Sequence, residues 1–195
     1  LYLKGVSTGD FTDALSAILG EGAAGLSATN VVRLKKVWED EYREWSKRDL
    51  SGKHYVYIWA DGIHFNVRLE DERLCMLVVM GALPDGTKEL LAVREGFRES
   101  ASSWAGLLRD LKQQGLKKAP AVAVGDGALG FWAALRQVFP GTRRQRCWVH
   151  KTANILDKMP KSIQPRAKRL IHEMYMAPTR ADALAAYGQF LDAYK

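Results

Sequence analysis

The chain has 195 residues, 47% of them apolar and 26% charged, which is enough to bury the core of one medium-sized domain. Its two cysteines, Cys75 and Cys147, cannot form the disulfide network that stabilises small secreted domains. No apolar run approaches the roughly 18 to 20 residues of a membrane span, and the first residues lack the basic-then-apolar pattern of a signal peptide. Because the chain begins at Leu1 rather than Met and ends at Lys195 inside a helical pattern, we expect a fragment of a longer protein.

The net charge of +7 is concentrated in one stretch of the chain. Between residues 141 and 170, nine basic residues accompany one acidic residue, which leaves the rest of the chain at −1. The nine are Arg143, Arg144, Arg146, Lys151, Lys158, Lys161, Arg166, Lys168 and Arg169. A localised positive field attracts phosphate backbones. A solvated basic helix face would have the same composition, so both interpretations stay open.

Residues 1–50 predict two helices joined by a glycine-containing turn. Apolar residues at helical spacing predict the first helix over residues 10–19, and the second begins after cap-forming polar residues. This is the outline of a helix-turn-helix. The side chains that would face a DNA groove are Ser27, Thr29, Asn30 and Arg33. The alternative is a plain helical hairpin that packs on the next domain.

Residues 51–150 change to strand patterning, and residues 151–195 return to helical patterning. Apolar and β-branched runs predict strands over 55–60, 64–69, 74–80, 88–93 and 121–124, with turns at 61–62, 70–73 and 84–86. Helices are predicted over 102–114 and 128–138, which together with the strands indicates an α/β sheet. The tryptophans on predicted helices are expected in the core; they are Trp38, Trp45, Trp104 and Trp132.

Two aspartates, Asp61 and Asp126, each end a predicted strand and each precede a glycine. Two carboxylates side by side repel each other unless a cation lies between them, so such a pair would form a divalent-metal site. Oxygen ligands suit Mg²⁺, and two ions about 4 Å apart assist the displacement at a phosphodiester. For either aspartate alone, a simple Asp-Gly turn is the more common explanation.

Cys147 and His150 form a Cys-x-x-His pair. This pair is half of a tetrahedral zinc site, which needs two further ligands. No other cysteine or histidine has paired spacing, so the pair alone favours no metal.

Several longer motifs together resemble the mutator-type transposases of bacterial insertion sequences. They are ADG (60–62), FNVR (65–68), GDGALGFW (125–132) and RCWVHKTAN (146–154), preceded by LKGVSTGDF (3–11) and GLS (25–27). The resemblance covers nearly the whole chain in order. It implies a DDE transposase with a ribonuclease-H-like core, a helix-turn-helix segment over 1–50 and the start of a helical insertion over 151–195.

The resemblance also implies roles for individual residues. The first two catalytic and metal-binding aspartates fall on Asp61 and Asp126, with Mg²⁺ or Mn²⁺, two ions in all, as the cofactor. Cys147 and His150 would lie near the active site. Residues expected to contact DNA are Ser27, Thr29, Asn30, Arg33, Arg143, Arg144, Arg146 and Lys151.

The third catalytic residue of such enzymes is a glutamate beyond a helical insertion. A separation of about 35 residues from Asp126, common in other DDE enzymes, reaches Lys161, and Glu173 has a helical context. We therefore expect the third carboxylate beyond Lys195, and a fragment that binds DNA without cutting it.

The function implied is Mg²⁺-dependent strand cleavage and strand transfer at the ends of an insertion sequence. The partners are double-stranded DNA, both terminal inverted repeats and target DNA, and further copies of the protein on that DNA, in the bacterial cytoplasm. One alternative is a truncated remnant that binds element ends without catalysis. Another is a nuclease or resolvase with the same core.

Overall fold

The computed structural model describes residues 28–65, 74–96, 100–127 and 129–194. In chain order, its elements are α1 (Ala28–Trp45), β1 (Tyr57–Phe65), β2 (Leu74–Ala82), β3 (Lys88–Gly96), α2 (Ala101–Gln113), β4 (Val122–Gly125), α3 (Leu129–Val138), β5 (Arg143–Arg146), α4 (Trp148–Leu156), α5 (Gln164–Met176) and α6 (Arg180–Ala193). The predicted helix over 10–19, Ser27 and the predicted turn at 70–73 lie outside the described residues. None of the described helices is both long enough and apolar enough to cross a membrane.

The five strands form one sheet in the order β3-β2-β1-β4-β5. Strands β1, β2 and β3 are antiparallel neighbours. Strand β5 runs parallel to β4. Arg143 N–H donates to Ala121 O, and four residues further along both strands Cys147 N–H donates to Gly125 O, so the two strands advance in the same direction. An antiparallel three-stranded part, continued by helix α2 and then by β4 beside β1, confirms the predicted α/β class.

Strand β1 runs straight through the Asp61-Gly62 pair, so the prediction that Asp61 ends a strand was wrong. Asp61 lies opposite Val78 on β2, and Gly62 lies opposite Leu77. Strand β2 is a long apolar strand, and it offers pairing partners on both sides of the Asp-Gly pair. The Asp61 side chain is exposed whereas its neighbour Ala60 is buried, so the strand continues without burying a charge.

The core of the sheet lies on the face that helices α2 and α3 cover. Apolar residues of α2 recur at helical spacing and are buried, as the sequence predicts, and the rings of Trp104 and Phe131 make an edge-to-face contact with centroids 5.1 Å apart. Trp104 and Trp132 are 1% and 8% exposed, which confirms their expected burial. Trp38, by contrast, is 58% exposed, and that prediction was wrong. Among residues 29–45, only Val31 is fully buried, so α1 contributes little to this core.

The last turns of helix α1 and the residues that follow it are hydrogen-bonded to strand β3 of the sheet. The Tyr42 hydroxyl donates to the Val93 carbonyl oxygen at 2.6 Å. The Arg48 guanidinium donates to the carbonyl oxygens of Leu90 and Leu91 at 2.6 and 3.1 Å. Arg48 also lies 4.2 Å from the centre of the Trp45 ring. These contacts hold the C-terminal end of α1 on the backbone of β3.

Glu89 of β3 is held by Lys53 and Tyr55. Lys53 Nζ donates to the two carboxylate oxygens at 2.6 and 2.7 Å, and the Tyr55 hydroxyl donates to Oε2 at 2.5 Å. The bond from Lys53 and then the bond from Tyr55 lower the pKa of Glu89 below its ordinary value. Burial, followed by the bond to Glu89, raises the pKa of Tyr55.

The lowered pKa of Glu89 predicts a pH-dependent contribution to stability. The contribution is fully present above the unfolded-state pKa, near 4.5, and is lost as the pH falls through the lower folded-state pKa. Because the cluster is partly exposed, we expect Glu89→Gln to lower the free energy of unfolding by about 1 kcal/mol at neutral pH. Denaturant unfolding between about pH 3 and pH 7 measures the difference, which should shrink toward the acid end. A difference independent of pH would contradict this origin, and Glu95→Gln, exposed on the same strand, is the control.

The chain divides into two compact units. One consists of Leu1–Ala123 and Leu129–Arg143, and it contains α1, β1 to β3, α2 and α3. The other consists of Val124–Ala128 and Arg144–Lys195, and it contains α4 to α6. Within the second unit, helices α5 and α6 bury Ala167, Ile171 and Ala186. The helical patterning predicted after residue 150 is thus observed in α4, α5 and α6.

Candidate active site and nucleic-acid interface

In the first unit, Asp61 presents its carboxylate from the middle of β1. Pairing with β2 along the whole of β1 fixes the backbone on both sides of this residue. The alternation of the strand places Tyr57, Trp59 and Ile63 on the same face as Asp61, and the rings of Tyr57 and Trp59 stack with centroids 6.1 Å apart. The exposed carboxylate therefore has a fixed position on a rigid strand and is open to a ligand.

In the second unit, Asp126 directly follows strand β4, as the sequence predicts. Its side chain is half-buried. The residue before it, Gly125, accepts a hydrogen bond from the backbone N–H of Cys147 at 2.7 Å. This bond holds the end of β4 beside the beginning of α4, so the backbone that carries Asp126 is fixed on one side by a neighbouring strand.

Cys147 and His150 lie at the beginning of helix α4. Cys147 has extended backbone angles and is the N-cap residue, and its carbonyl oxygen accepts from Lys151 N–H at 2.9 Å. His150 follows one turn later; it is half-buried, and its buried Nδ1 has no hydrogen-bond partner among the residues that the structure describes. Through the bond to Gly125, the Cys-x-x-His pair begins beside the residue that precedes Asp126.

Arg146 lies against Gly127, the residue that follows Asp126. A Cβ atom built on Gly127 would be 2.5 Å from Nη2 and 2.8 Å from Cζ of Arg146, so the absence of a side chain at 127 leaves the space that the guanidinium occupies. Sequence reasoning placed Arg146 among the DNA-binding residues but missed this contact. The motif contained a signal for it, because a glycine in a Gly-Asp-Gly sequence can permit another group to approach closely.

The other predicted DNA-binding residues lie on two surfaces. Arg143, Arg144 and Lys151 are exposed, the first two on strand β5 and the third on helix α4. On the first two turns of α1, Thr29 and Arg33 are exposed and Asn30 is half-buried. Residues 29, 30 and 33 lie on one side of that helix, because residues three and four apart are neighbours on a helix surface.

The donor set suits a hard cation rather than zinc. Within the ranges that the structure describes, no three or more of the histidine, cysteine, aspartate and glutamate side chains form a group that could hold a metal ion. A structural zinc ion needs four ligands, so Cys147 and His150 lack the partners for one there. Mg²⁺ accepts one or two protein carboxylates and keeps several waters. Asp61 and Asp126 provide carboxylate oxygens, the ligands that such an ion needs. Glu173 lies exposed on helix α5, as its predicted helical context indicates.

Comparison with known proteins identifies the family. The family model described as "Transposase, Mutator family" matches residues 1–195. The chain belongs to this family. The family that the motifs indicated is therefore confirmed.

Two curated relatives of this chain have substantial sequence identity to it. The transposase for insertion sequence element IS6120 of Mycolicibacterium smegmatis is 56% identical over 177 residues, which are 91% of this chain and 54% of that protein. The transposase for insertion sequence element IST2 of Acidithiobacillus ferrooxidans is 45% identical over 190 residues, which are 94% of this chain and 62% of that protein. The Mutator-family chain thus spans little more than half the length of these relatives.

Among solved structures, the Mutator-family chain is similar to an HTLV-2 integrase catalytic core domain in complex with magnesium. The sequence identity is 13%, the TM-score is 0.35, and the similarity covers 71% of this chain and 85% of that one.

Proposed function

We propose that this Mutator-family chain carries the DNA-cutting site of an insertion-sequence transposase, with Asp61 and Asp126 as ligands of Mg²⁺ or Mn²⁺. The observation that carries the proposal is the placement of the two carboxylates on β1 and directly after β4, which are neighbouring strands of the sheet. Carboxylates on rigid strands are suited to holding a cation at a phosphodiester.

The proposed reaction is hydrolysis of a phosphodiester at the element end, followed by attack of the freed 3′-hydroxyl on target DNA. Two bound ions would supply activation of the attacking oxygen and neutralisation of charge at the phosphate. The chain's own contribution is to hold the carboxylates in place and to orient the DNA, and no covalent protein intermediate is needed. Mg²⁺ or Mn²⁺ would serve, because both accept carboxylate oxygen ligands.

The proposed partner is double-stranded DNA, both terminal inverted repeats and target. The first two turns of α1, with Thr29, Asn30 and Arg33, would read the terminal repeats together with Ser27. The basic run, which comprises the nine basic residues between 143 and 169, would neutralise DNA phosphates. Because transposition joins two element ends, we further propose that several copies of the protein assemble on the DNA.

Neutralising the arginines of β5 tests the role of the basic run. We expect the variant with Arg143, Arg144 and Arg146 all replaced by Ala to bind every DNA sequence more weakly. Each lost phosphate contact reduces the dependence of log Kd on log salt concentration by about 0.9, so the slope should fall by about three. Fluorescence anisotropy with element-end and unrelated duplexes between about 50 and 200 mM salt measures it. An unchanged slope would mean that these side chains do not contact DNA, and Arg136→Ala on α3 is the control.

A metal-dependent cleavage assay tests the proposed activity itself. The full-length transposase is incubated with labelled DNA of its own element ends in Mg²⁺, in Mn²⁺ and in EDTA. We expect nicks at the element ends with either ion, strand-transfer products when target DNA is added, and neither with EDTA. Specific binding of the ends with no cleavage in either ion would instead identify a DNA-binding remnant. Cleavage that persists in EDTA would rule out the proposed chemistry.

A further inference from the structure

Strand β5 carries three exposed arginines. Arg146 differs from the other two because it lies beside the turn that carries Asp126. Its guanidinium lies against the backbone of Gly127, directly after the proposed catalytic residue Asp126. Both ends of this contact belong to the same compact unit. A permanent positive charge therefore lies beside the turn that follows Asp126, where the reacting phosphate would be bound.

The backbone from which Arg146 projects is fixed on two sides. The N–H of the next residue, Cys147, donates to Gly125 O at 2.7 Å, which ties this end of β5 to the end of β4. The Arg146 carbonyl oxygen accepts from Gln145 Nε2 at 2.8 Å. The side chain thus begins from a defined position, and the missing Cβ of Gly127 makes room for its planar end.

We infer that Arg146 contacts the reacting phosphate itself, and that Gly127 is needed because any side chain there displaces the guanidinium. The inference rests on the proposed function, since it assigns a further residue to the same site. A guanidinium presents two parallel N–H donors to phosphate oxygens and stays charged at every working pH. Hydrogen-bond donors that are preorganised around the position where negative charge develops stabilise the transition state more than they stabilise the bound substrate.

The first test compares Arg146→Ala with Arg144→Ala in the full-length transposase, on element-end DNA with Mn²⁺. Arg144 is the matched control because it is an exposed arginine of the same strand. Both variants should weaken DNA binding to a similar, few-fold extent. We expect Arg146→Ala to slow cleavage at saturating protein by a further 100-fold to 1000-fold, the loss typical of removing one transition-state donor. Equal cleavage rates of the two variants would overturn the inference.

The second test uses Gly127→Ala, which leaves the arginine in the sequence. The atoms that an alanine Cβ would meet are the far end of a flexible side chain, so the guanidinium should move without unfolding the protein. We expect an unchanged melting temperature and a cleavage loss like that of Arg146→Ala. In the double variant the two losses should not add, because both remove the same contact. Full cleavage by Gly127→Ala would overturn the inference.

A readout without DNA separates phosphate contact from a structural role toward Asp126. Mn²⁺ binding to the full-length protein, followed by electron paramagnetic resonance, should be unchanged or tighter in Arg146→Ala, because a nearby positive charge is removed. Weaker Mn²⁺ binding would mean that Arg146 orients the carboxylate, and the inference would be wrong. The cleavage rate of Asp126→Asn shows whether a negative result counts against the proposed function or only against the role of Arg146. If Asp126→Asn cuts, the proposed function fails; if Asp126→Asn is inactive but Arg146→Ala cuts at the wild-type rate, only the role of Arg146 fails.

Discussion

Replacing Asp126 with Asn in the full-length transposase should abolish strand cleavage at element ends and leave DNA binding intact. Asparagine keeps the shape of the side chain but removes the charge that binds a divalent cation, and the exposed Asp61 should respond in the same way to Asp61→Asn. We expect each variant to lose about 1000-fold or more in cleavage rate, which corresponds to about 4 kcal/mol of transition-state stabilisation. Gel assays of cleavage in Mg²⁺ and anisotropy of DNA binding measure the two effects separately.

The control for these variants is Asp157→Asn. Asp157 is exposed beyond the end of α4 and is the one acidic residue within the basic stretch from 141 to 170. The Asp157→Asn variant should retain cleavage, because the substitution removes a carboxylate of the same type from a position without a proposed catalytic role. If Asp61→Asn or Asp126→Asn keeps more than about a tenth of the wild-type rate, that aspartate is not a ligand of the essential ion.

Gly115→Ala should be among the most destabilising single substitutions in the first unit. Gly115 follows α2 with φ +109°, a conformation that residues with a Cβ rarely adopt. A Cβ there would be 2.5 Å from the backbone nitrogen and 2.8 Å from Cα of Ser51. Backbone atoms cannot yield as a side chain can, and the neighbouring bond from Leu50 N–H to Gln114 O, 2.7 Å long, would be strained. We expect a loss of about 3 kcal/mol in the free energy of unfolding.

Gly86→Ala separates conformational strain from steric overlap. Gly86 lies in the turn between β2 and β3 with φ +88°, and a Cβ there would have nothing within 4 Å. Only the cost of the backbone conformation remains, about 1 kcal/mol. Urea unfolding of both variants measures the difference. Equal losses would show that the overlap with Ser51 relaxes at no cost.

The sheet was largely predictable because its strands and turns have strong local signals. The apolar run of β2, the Pro-Asp-Gly turn before β3 and the helical spacing of buried residues in α2 are properties of neighbouring residues. The course of β1 through Asp61 was not predictable in this way. An Asp-Gly pair favours a turn locally, whereas here pairing with β2 continues through both residues and keeps the strand extended.

The candidate site was predictable in its residue types but not in its contacts. Asp126 was found because a carboxylate directly after a buried apolar strand is a local pattern. The packing of Arg146 on Gly127 joins residues on different elements, and the pairing of β4 with β5 brings them together. The solvent exposure of Trp38 could not be read from the sequence either, because an apolar residue at helical spacing does not reveal whether its helix is covered on that side.

The hydrogen bonds from Tyr42 and Arg48 to β3 have a consequence for how copies of this protein can associate. Strand β3 is the last strand on its side of the sheet, and such an edge normally offers free carbonyl groups to a strand of another molecule. Here the carbonyl oxygens of Leu90, Leu91 and Val93 already accept from side chains. A second molecule could not continue the sheet there without first detaching α1. In the proposed assembly on DNA, copies of the protein would therefore have to meet at surfaces other than this edge, and the same side chains protect this edge from edge-to-edge aggregation.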